Sequence, residues 1–361
     1  SRLTNPTVAA LEEKLATLEG GRGGTVTSSG HAAETLVLFP LMAPGMEVIV
    51  SNKLYGGTIN LMGKSFRKFG WNAVFVDNDN PEAFRAAVTE KTRAIFVESL
   101  ANPGGVIVDL EAIAKIAQEA EVPLIVDNTM ATPWLCRPFE WGADLVVHST
   151  TKFLSGQGNA MGGIVIDSGR FPWFGNAKYP SLSEPSPDYN GLTFAETFGD
   201  LAFTLYSHAV SLRDLGCTQS PMNAWITLNG VETLPLRMER HVENAQKVAG
   251  FLQQHPSVEW VSYAGLSSSP YYQLAQKYLQ GKAGSVFTFG IRGGYESGLR
   301  LLEKVELFSH VSNIGDSRSL ILHPASTTHR QLSDEQRLTA GAGPEVIRLS
   351  VGIESAEDLI A

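Results

Sequence analysis

The sequence predicts a two-domain α/β protein, with a large domain around a mostly parallel seven-stranded sheet and a smaller C-terminal α/β domain. In the first half of the chain, seven short apolar segments alternate with helical ones. The apolar segments have no polar face, as in a parallel sheet covered by helices on both sides. Such alternation is typical of a doubly wound domain. The length of 361 residues exceeds one ordinary core and suits two domains.

The elements of the large domain can be placed in chain order. A first helix begins at Pro6 after the capping residue Asn5. Its apolar face is predicted to consist of Val8, Leu11, Leu15 and Leu18. The seven strands are predicted at Thr25–Ser28, Glu47–Ser51, Ala73–Asp77, Ala94–Glu98, Leu124–Asp127, Leu145–His148 and Gly163–Ile166. Further helices are predicted to begin near Gly30, Thr58, Pro81, Leu110 and Trp134.

The second half begins with a long helix, predicted over Leu234–Gln254 and linking the domains, so that the predicted domains are 1–254 and 255–361. The apolar positions of this helix are Leu236, Val242, Val248 and Leu252. Strands are predicted at Val258–Tyr263, Ser285–Ile291, Ser319–Leu322 and Ile347–Val351, and helices at Tyr271–Leu279 and Glu296–Lys304.

Composition excludes several classes of function. Apolar residues make up 43% and charged residues 18%, as in a folded protein. The net charge of −9 disfavours nucleic-acid binding. Cys136 and Cys217 form neither a CxxC pair nor a metal-ligand spacing, so we expect no metal and a reducing, cytoplasmic location. No apolar run approaches the roughly 20 residues of a membrane span and no signal peptide is visible, so no membrane association is expected.

Both ends of the sequence look cut. The chain starts at Ser1 without a methionine and stops at Ala361 inside a predicted helix start. We therefore expect further sequence beyond each end.

Lys152 is the first candidate for chemistry. It follows the strand at Leu145–His148, at the carboxyl edge where ligands bind in open α/β sheets. Hydroxyl groups of Ser149 and Thr151 flank it, and the glycine-rich stretch 155–158 follows. A lysine that forms an imine must lose its proton readily, and partial burial lowers its pKa. A lone lysine in a loop is more often an ordinary surface residue, so other features have to support this interpretation.

Asp127 ends an almost wholly apolar strand. A carboxylate there is costly unless a cation partners it, and a protonated aromatic ring nitrogen is one such cation. A helix cap or a metal ligand is the alternative interpretation.

The segment Ser29-Gly30-His31 leads from a strand into a helix start. Free backbone N–H groups of Gly30 and His31 at a helix N-terminus would form a phosphate site. The pattern matches neither the Walker nor the GxGxxG motif, which disfavours nucleotide binding. A simple tight turn remains the alternative.

Three further residues have both a functional and a structural interpretation. Tyr55 precedes two glycines and could lie flat on a planar ligand, or it could pack in the core. Asn102 follows a strand and could bond a phenolic oxygen, or it could be a turn residue. Arg348 lies within an apolar strand and could bind a substrate carboxylate, or it could form an internal salt bridge.

Together these motifs resemble the Cys/Met-metabolism family of fold-type I pyridoxal-phosphate (PLP) enzymes. The likeness runs almost from end to end and implies the fold-type I transferase fold. The segments that carry it are Ser1–Thr7, Ser29–Ala33, Tyr55–Thr58, Val126–Thr129, His148–Phe153, His323–His329 and Arg348–Glu354.

The resemblance implies a role for each candidate. Pyridoxal 5'-phosphate would be the cofactor, bound as a Schiff base to Lys152, which would then act as the mobile base. Asp127 would hold the pyridine nitrogen, Tyr55 would stack on the ring and take part in catalysis, and Asn102 would contact the phenolic oxygen. The other implied cofactor contacts are Ser29, Gly30, His31, Thr129, Ser149 and Thr151.

The resemblance also implies substrate contacts and an oligomer. Arg348 and Asn313 would bind the substrate carboxylate. Arg2 matches the arginine of a Tyr-x-Arg motif that reaches the phosphate of the neighbouring subunit. A homodimer would therefore be the minimum active unit, and a tetramer the usual assembly.

Three features favour the branch of the family that converts O-acetylhomoserine and sulfide to homocysteine and acetate, or uses methanethiol to form methionine. The stretch Phe171–Leu201 resembles the long insertion of that branch, and Asn313–Leu320 resembles its substrate loop. Gly57 stands where methionine γ-lyases carry a cysteine.

Alternatives remain at this point. O-succinylhomoserine sulfhydrylase and cystathionine γ-synthase use an ester that differs by one carboxylate, and no second basic residue for it is apparent. A cystathionine lyase is less favoured. From a different class, an inactive regulatory protein could keep this fold, although the intact Lys152, Asp127 and Arg348 disfavour it. The missing GxGxxG motif disfavours a dehydrogenase.

Overall fold

The computed structural model describes residues 1–102, 105–328, 330, 333–339 and 341–361. His329, the last residue of one family motif, lies outside them. The chain divides into two compact units. The first consists of Ser1–Ser99, Val108–Thr151 and Asn159–Asn229, and the second of Leu100–Ile107, Lys152–Gly158 and Gly230–Ala361.

The strands are numbered along the chain. They are Gly23–Thr27 (β1), Glu47–Ser51 (β2), Asn72–Val76 (β3), Thr92–Glu98 (β4), Leu100–Ala101 (β5), Val106–Ile107 (β6), Leu124–Asp127 (β7), Leu145–Ser149 (β8), Gly163–Asp167 (β9), Val258–Ser262 (β10), Val286–Ile291 (β11), Ser309–His310 (β12), Leu320–Leu322 (β13) and Val346–Ser350 (β14).

The α-helices are numbered in the same way. They are Pro6–Glu19 (α1), Gly30–Leu38 (α2), Gly56–Asn60 (α3), Pro81–Ala86 (α4), Leu110–Glu119 (α5), Thr132–Leu135 (α6), Pro180–Ser183 (α7), Phe194–Phe198 (α8), Ala202–Tyr206 (α9), Arg213–Leu215 (α10), Pro221–Glu232 (α11), Leu234–Gln254 (α12), Tyr272–Tyr278 (α13), Gly294–Lys304 (α14), Asp334–Thr339 (α15) and Ala356–Ile360 (α16). Leu61–Ser65 and Ser207–Leu212 form π-helical turns.

A seven-stranded sheet organises the first unit, in the order β1-β9-β8-β7-β4-β2-β3. Strands β3, β2, β4, β7 and β8 are parallel, and β9 is antiparallel to both β8 and β1. The mostly parallel seven-stranded sheet is therefore confirmed, and all seven predicted strands lie within two residues of their predicted ends. Their β-branched composition and two-sided burial are the physical reason.

The second unit contains a five-stranded sheet, in the order β10-β11-β14-β13-β12, in which only the β12–β13 pair is parallel. Its α/β character agrees with the prediction. The last segment of this unit starts at Gly230, whereas the predicted domain boundary lies between residues 254 and 255. The difference arises because α12 belongs to this unit. The side chains of Arg237 and His241 bond carbonyl groups of Phe153 and Val351, which lie in the same unit.

Two helices bury a different face from the one predicted. In α1, Leu18 is 38% exposed, whereas Glu19 is 1% exposed. Positions three or four apart share one side of a helix, so the face of Leu11 and Leu15 continues to Glu19. In α12, Leu236 is 71% exposed for the same reason, since the buried face runs through Arg237 and His241. The apolar face predicted for α1 was therefore wrong at Leu18, and in α12 the apolar position Leu236 lies outside the buried face.

No helix among the described residues is long and apolar enough to cross a membrane.

The sheet core supplies a stability test. Phe96 on β4 is fully buried, whereas Phe75 on the edge strand β3 is 37% exposed. We expect Phe96→Ala to lower the free energy of unfolding by about 3–5 kcal/mol, because the cavity adds to the lost burial. The matched Phe75→Ala change should cost about 1 kcal/mol or less. Urea unfolding of both variants measures the difference, and equal losses would contradict the packing described here.

Candidate active site

Three strand ends of the first unit face the same edge of its sheet. Because β9 is antiparallel to both β1 and β8, strands β1, β7 and β8 run in one direction. Their carboxyl ends carry Ser29, Asp127 and Ser149, in each case at the strand end or just beyond it. The backbone N–H of Ser149 donates to Oγ1 of Thr129 over 2.8 Å. The topology therefore gathers residues that the sequence separates widely.

The N-terminus of α2 has backbone N–H groups that could bind an anion. Ser29 caps it, with Oγ accepting from the N–H of Ala32 at 3.1 Å and the carbonyl accepting from Ala33. The first N–H groups of a helix have no intrahelical acceptor, which leaves those of Gly30 and His31 for an anion. A Cβ added to Gly30 would lie 2.8 Å from Cβ of Ser149, so only glycine permits this approach.

Asp127 ends β7 with its carboxylate near two histidines. Its Oδ1 accepts from the N–H of Thr129 at 2.8 Å. Burial raises the pKa of the Asp127 carboxyl, while hydrogen bonds from Thr129 and the positive charges of His148 and His31 act against this rise. A further cation beside Asp127 would stabilise its charged form.

Tyr55 and His31 place two aromatic rings beside one another, with centroids 5.9 Å apart. The backbone N–H of Tyr55 donates to Oε1 of Glu98 over 2.6 Å. A Cβ at Gly57 would overlap the Tyr55 ring and lie 2.8 Å from the His31 ring. Gly57 thus gives these rings their room, and Tyr55 remains 51% exposed and open to a ligand.

Glu34 is a buried neighbour that the sequence reasoning missed. Oγ1 of Thr58 donates to its carboxyl at 2.7 Å. Burial, together with the negative charge of Asp127, raises the pKa of Glu34 to about 8. Glu34 is therefore mostly neutral at pH 7 and adds little negative charge beside Asp127. A carboxylate three positions after His31 in an otherwise apolar helix was the available signal.

In the second unit, Lys152 and Arg348 both donate hydrogen bonds to Asn313, so Lys152 lies close to the two residues predicted to bind the substrate. Nζ of Lys152 donates to Oδ1 of Asn313 at 2.5 Å, and Nη2 of Arg348 donates to the carbonyl of Asn313 at 3.2 Å. Burial lowers the pKa of Lys152 to about 8, and the positive charge of Arg348 contributes. The amine is thus available as a nucleophile or base near neutral pH.

A buried arginine fixes the turn that follows Lys152. Nη1 of Arg237 donates to the carbonyl of Phe153 at 2.7 Å, and Nη2 donates to that of Gly230 at 2.7 Å. A Cβ on Gly156 would lie 2.6 Å from the guanidinium carbon, so glycine is required there. The sequence reasoning missed Arg237, although a charged residue on the apolar stripe of α12 was a visible signal.

Three further predicted cofactor-binding residues are Thr151, Asn102 and Arg2. Oγ1 of Thr151 accepts from the N–H of Gly162 at 3.1 Å. Asn102 is buried just after β5 in the second unit. Arg2 is exposed, and its role in a neighbouring subunit stays a prediction.

Each unit, taken by itself, offers groups that suit a part of a phosphorylated pyridine aldehyde. The cradle formed by α2 and Ser149 suits a phosphate, and the buried Asp127 suits a protonated ring nitrogen. The amine of Lys152, with its pKa lowered to about 8, suits bond formation with an aldehyde. Pyridoxal 5'-phosphate has all three groups.

The family model for Cys/Met metabolism PLP-dependent enzymes matches residues 1–361. The chain belongs to the Cys/Met metabolism family of PLP-dependent enzymes. It is 49% identical to an O-acetyl-L-homoserine sulfhydrylase of Leptospira meyeri, covering 100% of this chain and 83% of that protein. It is 48% identical to O-acetyl-L-homoserine sulfhydrylase 1 of Thermus thermophilus, covering 100% and 86%.

A solved structure supports the same family. A candidate O-acetylhomoserine (thiol)-lyase of Campylobacter jejuni matches with a TM-score of 0.96 and 42% identity, covering 100% of this chain and 86% of that one. That structure carries N'-pyridoxyl-lysine-5'-monophosphate. The Cys/Met-family fold, the PLP cofactor and the enzymatic nature expected from the sequence are therefore confirmed.

The lowered pKa of Lys152 predicts a pH profile. In the cofactor-free protein, we expect the rate at which Lys152 reacts with an aldehyde to rise with a midpoint near pH 8, since the neutral amine is the reactive form. Arg348→Gln should move the midpoint upwards by removing a nearby positive charge. Borohydride reduction and peptide mass spectrometry report the modified site. The exposed Arg292→Gln change is the control, and a wild-type midpoint near 10.5 would contradict the burial of Lys152.

The α2 cradle predicts the effect of one methyl group. Gly30→Ala should weaken cofactor binding about ten-fold or more, because the added Cβ pushes the helix N-terminus away from Ser149. Titration of the cofactor-free protein, followed by absorbance, gives the dissociation constant. Gly250→Ala adds the same group where no atom lies within 4 Å and should leave the affinity unchanged. Wild-type affinity in Gly30→Ala would rule out a phosphate at this helix end.

Proposed function

We propose that this enzyme replaces the acetate group of O-acetyl-L-homoserine with sulfide, giving L-homocysteine and acetate. Methanethiol in place of sulfide gives methionine. The observation that carries the proposal is the cluster of Lys152, Asn313 and Arg348, which places an amine beside groups suited to a substrate carboxylate. The names of the relatives at 49% and 48% identity support the acetyl ester.

The first unit supplies groups for the cofactor's phosphate, ring and nitrogen. The N–H groups at the start of α2, with Ser149, Thr151 and Thr129, would bind the phosphate region. Asp127 would hold the ring nitrogen and Tyr55 would stack on the ring. Lys152 would hold the cofactor covalently, and Asn102 would contact its phenolic oxygen. When bound, pyridoxal phosphate supplies an electron sink for charge that develops on the substrate's carbon atoms.

Arg348 and Asn313 would orient the amino-acid end of the substrate. The guanidinium of Arg348 can donate two parallel hydrogen bonds to a carboxylate. The hydrogen bond from Arg348 to the carbonyl of Asn313 holds the two residues side by side, so both could contact the same carboxylate. Fixing the carboxylate fixes where the α, β and γ carbons lie relative to Lys152.

Lys152 would move the protons. In its neutral form the amine would take a proton from the α carbon and hand that proton to the bound cofactor. Neutral again, it would then take a proton from the β carbon, so that acetate can leave the γ carbon. After sulfide has added at the γ carbon, Lys152 returns protons to the β and α carbons. The pKa near 8 lets the same amine both take and give protons near neutral pH. A long, flexible side chain can reach several carbons in turn.

We also infer a homodimer as the minimum active unit, a tetramer as the usual assembly, and a cytoplasmic location. The predicted contact of Arg2 with a neighbouring subunit supports the oligomer. The free thiols of Cys136 and Cys217 agree with a reducing compartment. Sedimentation of the purified protein tests the assembly.

Steady-state assays with sulfide and two esters test the function. We expect kcat/KM for O-acetylhomoserine to exceed that for O-succinylhomoserine by about ten-fold or more. Lys152→Ala should lower kcat about a thousand-fold or more, because it removes the general base. Lys91→Ala, at an exposed turn, is the matched control. A preference for the succinyl ester would replace our assignment with the succinyl-using enzyme, and turnover by Lys152→Ala would remove Lys152 from the mechanism.

A further inference from the structure

The buried face of α12 carries three polar side chains among its apolar ones. Arg237 is 8% exposed, His241 is fully buried and Asn244 is 1% exposed. Their spacing of four and three positions places them on one side of the helix. A polar or charged group in the interior loses its hydration, and only hydrogen bonds offset that loss. The contacts of these three side chains therefore indicate what this face of α12 does.

The guanidinium of Arg237 holds two segments of the second unit together. Nη1 donates to the carbonyl of Phe153 at 2.7 Å, and Nη2 donates to that of Gly230 at 2.7 Å and lies 3.5 Å from that of Leu154. Nε donates to Oγ1 of Thr233 at 3.1 Å. Burial lowers the pKa of Arg237 only to about 10, so the group stays charged at pH 7. A buried cation here binds neutral oxygen atoms of the backbone and of one hydroxyl group.

Two of those carbonyl groups belong to the turn that begins at Lys152. The N–H of Gly156 donates to the carbonyl of Lys152 at 2.8 Å, which closes one helical turn. The last carbonyl groups of a helical turn have no N–H partner further along the turn, and a basic side chain can bind them instead. Arg237 does so for Phe153 and Leu154, the two residues that follow Lys152.

The same turn is fastened to the loop of Asn313. The N–H of Ser317 donates to the carbonyl of Gly156 at 2.9 Å. A Cβ at Gly158 would lie 2.9 Å from Nδ2 of Asn313, so the two segments are in close contact. Nζ of Lys152 donates to Oδ1 of Asn313. Where the amine lies relative to the predicted carboxylate-binding residues therefore depends on how the turn is held.

His241 and Asn244 hold a different segment. Nδ1 of His241 lies 2.6 Å from the carbonyl oxygen of Val351. Nδ2 of Asn244 donates to the carbonyl of Gly352 at 3.0 Å and to that of Glu354 at 2.8 Å. These carbonyl groups follow β14 and lie outside the turn of residues 152–156. Asn244 thus has the burial and the kind of hydrogen bond that Arg237 has, without the contact to that turn.

We propose that Arg237 is a positioning residue for Lys152: its guanidinium fixes the turn of residues 152–156, and with it the point from which the amine reaches the substrate's carbon atoms. This inference rests on the proposed role of Lys152 as the base. A misplacement of about 1 Å can lower the rate of a reaction about a hundred-fold, so a loosened turn should slow the chemical step. A solely structural Arg237 would change the free energy of unfolding and leave kcat unchanged.

Arg237→Lys tests the proposal in the holoenzyme. Lysine keeps the positive charge but lacks the planar set of donors that binds the carbonyls of Phe153 and Gly230 at once. We expect kcat for O-acetylhomoserine with sulfide to fall about ten-fold or more, and KM to stay within about three-fold. Wild-type kcat in Arg237→Lys overturns the inference.

Asn244→Leu is the matched control. It removes two buried hydrogen bonds from the same face of α12, so urea unfolding should show a loss of stability of about the same order as in Arg237→Lys. Its kcat should stay within about two-fold of the wild type, because the turn at Lys152 keeps its contacts. An equal fall of kcat in both variants would show that general loosening of the protein slows the reaction, and it overturns the inference.

Hydrogen exchange gives a readout that needs neither cofactor nor substrate. In the cofactor-free protein, we expect the amide N–H of Gly156 to exchange about ten-fold faster or more in Arg237→Lys, and at the wild-type rate in Asn244→Leu. Mass spectrometry with fragmentation of the peptide over residues 152–158 measures it. An unchanged rate in Arg237→Lys contradicts the proposal. So does a wild-type Gly156 amide that exchanges as fast as in an unstructured peptide, and this result requires no substitution.

The failure of this inference differs from the failure of the proposed function. A wild type that does not turn over O-acetylhomoserine refutes the proposed function, and this inference with it. Equal turnover by the wild type and Arg237→Lys refutes this inference alone.

Discussion

A carboxylate at the end of an apolar strand constrains the whole first unit. Asp127 must lie where β7 leaves the core, because that edge is where a parallel sheet presents ligand-binding groups. Its charge is unfavourable in that position, and the surrounding residues are arranged to reduce the cost. Thr129 donates hydrogen bonds that lower the pKa of Asp127, the neighbouring His148 and His31 act on that pKa in the same direction, and Glu34 is mostly neutral at pH 7.

The position of Lys152 in the second unit depends on steric limits of the backbone turn that follows it, rather than on charge. The backbone that follows it turns tightly enough that only glycine fits at Gly156 and Gly158. Arg237 holds this turn through carbonyl groups. A Cβ at Gly315 would in turn strike the backbone N of Phe153 at 2.7 Å. The flexible side chain of Lys152 is thus attached to a rigid turn of the backbone. This arrangement suits a base that must reach several atoms while its own backbone stays fixed.

The sheet could be predicted from the sequence because its strands are short, β-branched and buried on both faces. Motif spacing likewise selected Asp127, Ser149 and Lys152 as candidates, and their roles stay predictions. The helix faces were harder to predict. Leu18 was predicted to continue the apolar face of Leu11 and Leu15, whereas helix geometry continues the buried face to Glu19. Buried polar residues such as Glu19 and Arg237 follow from partners far away in the chain, and no local pattern reveals those partners.

The positive charge of Arg348, which lowers the pKa of Lys152, has a thermodynamic consequence. Arg348 lowers the proton affinity of Lys152, so any anion that neutralises Arg348 raises that affinity. By linkage, anion binding and proton uptake are then coupled, each favouring the other by the same factor. A carboxylate that arrives at Arg348 therefore strengthens Lys152 as a base at the moment a base is needed, and its departure weakens it again. The pKa of Lys152 thus depends on whether an anion is bound at Arg348, and this dependence requires no change of conformation.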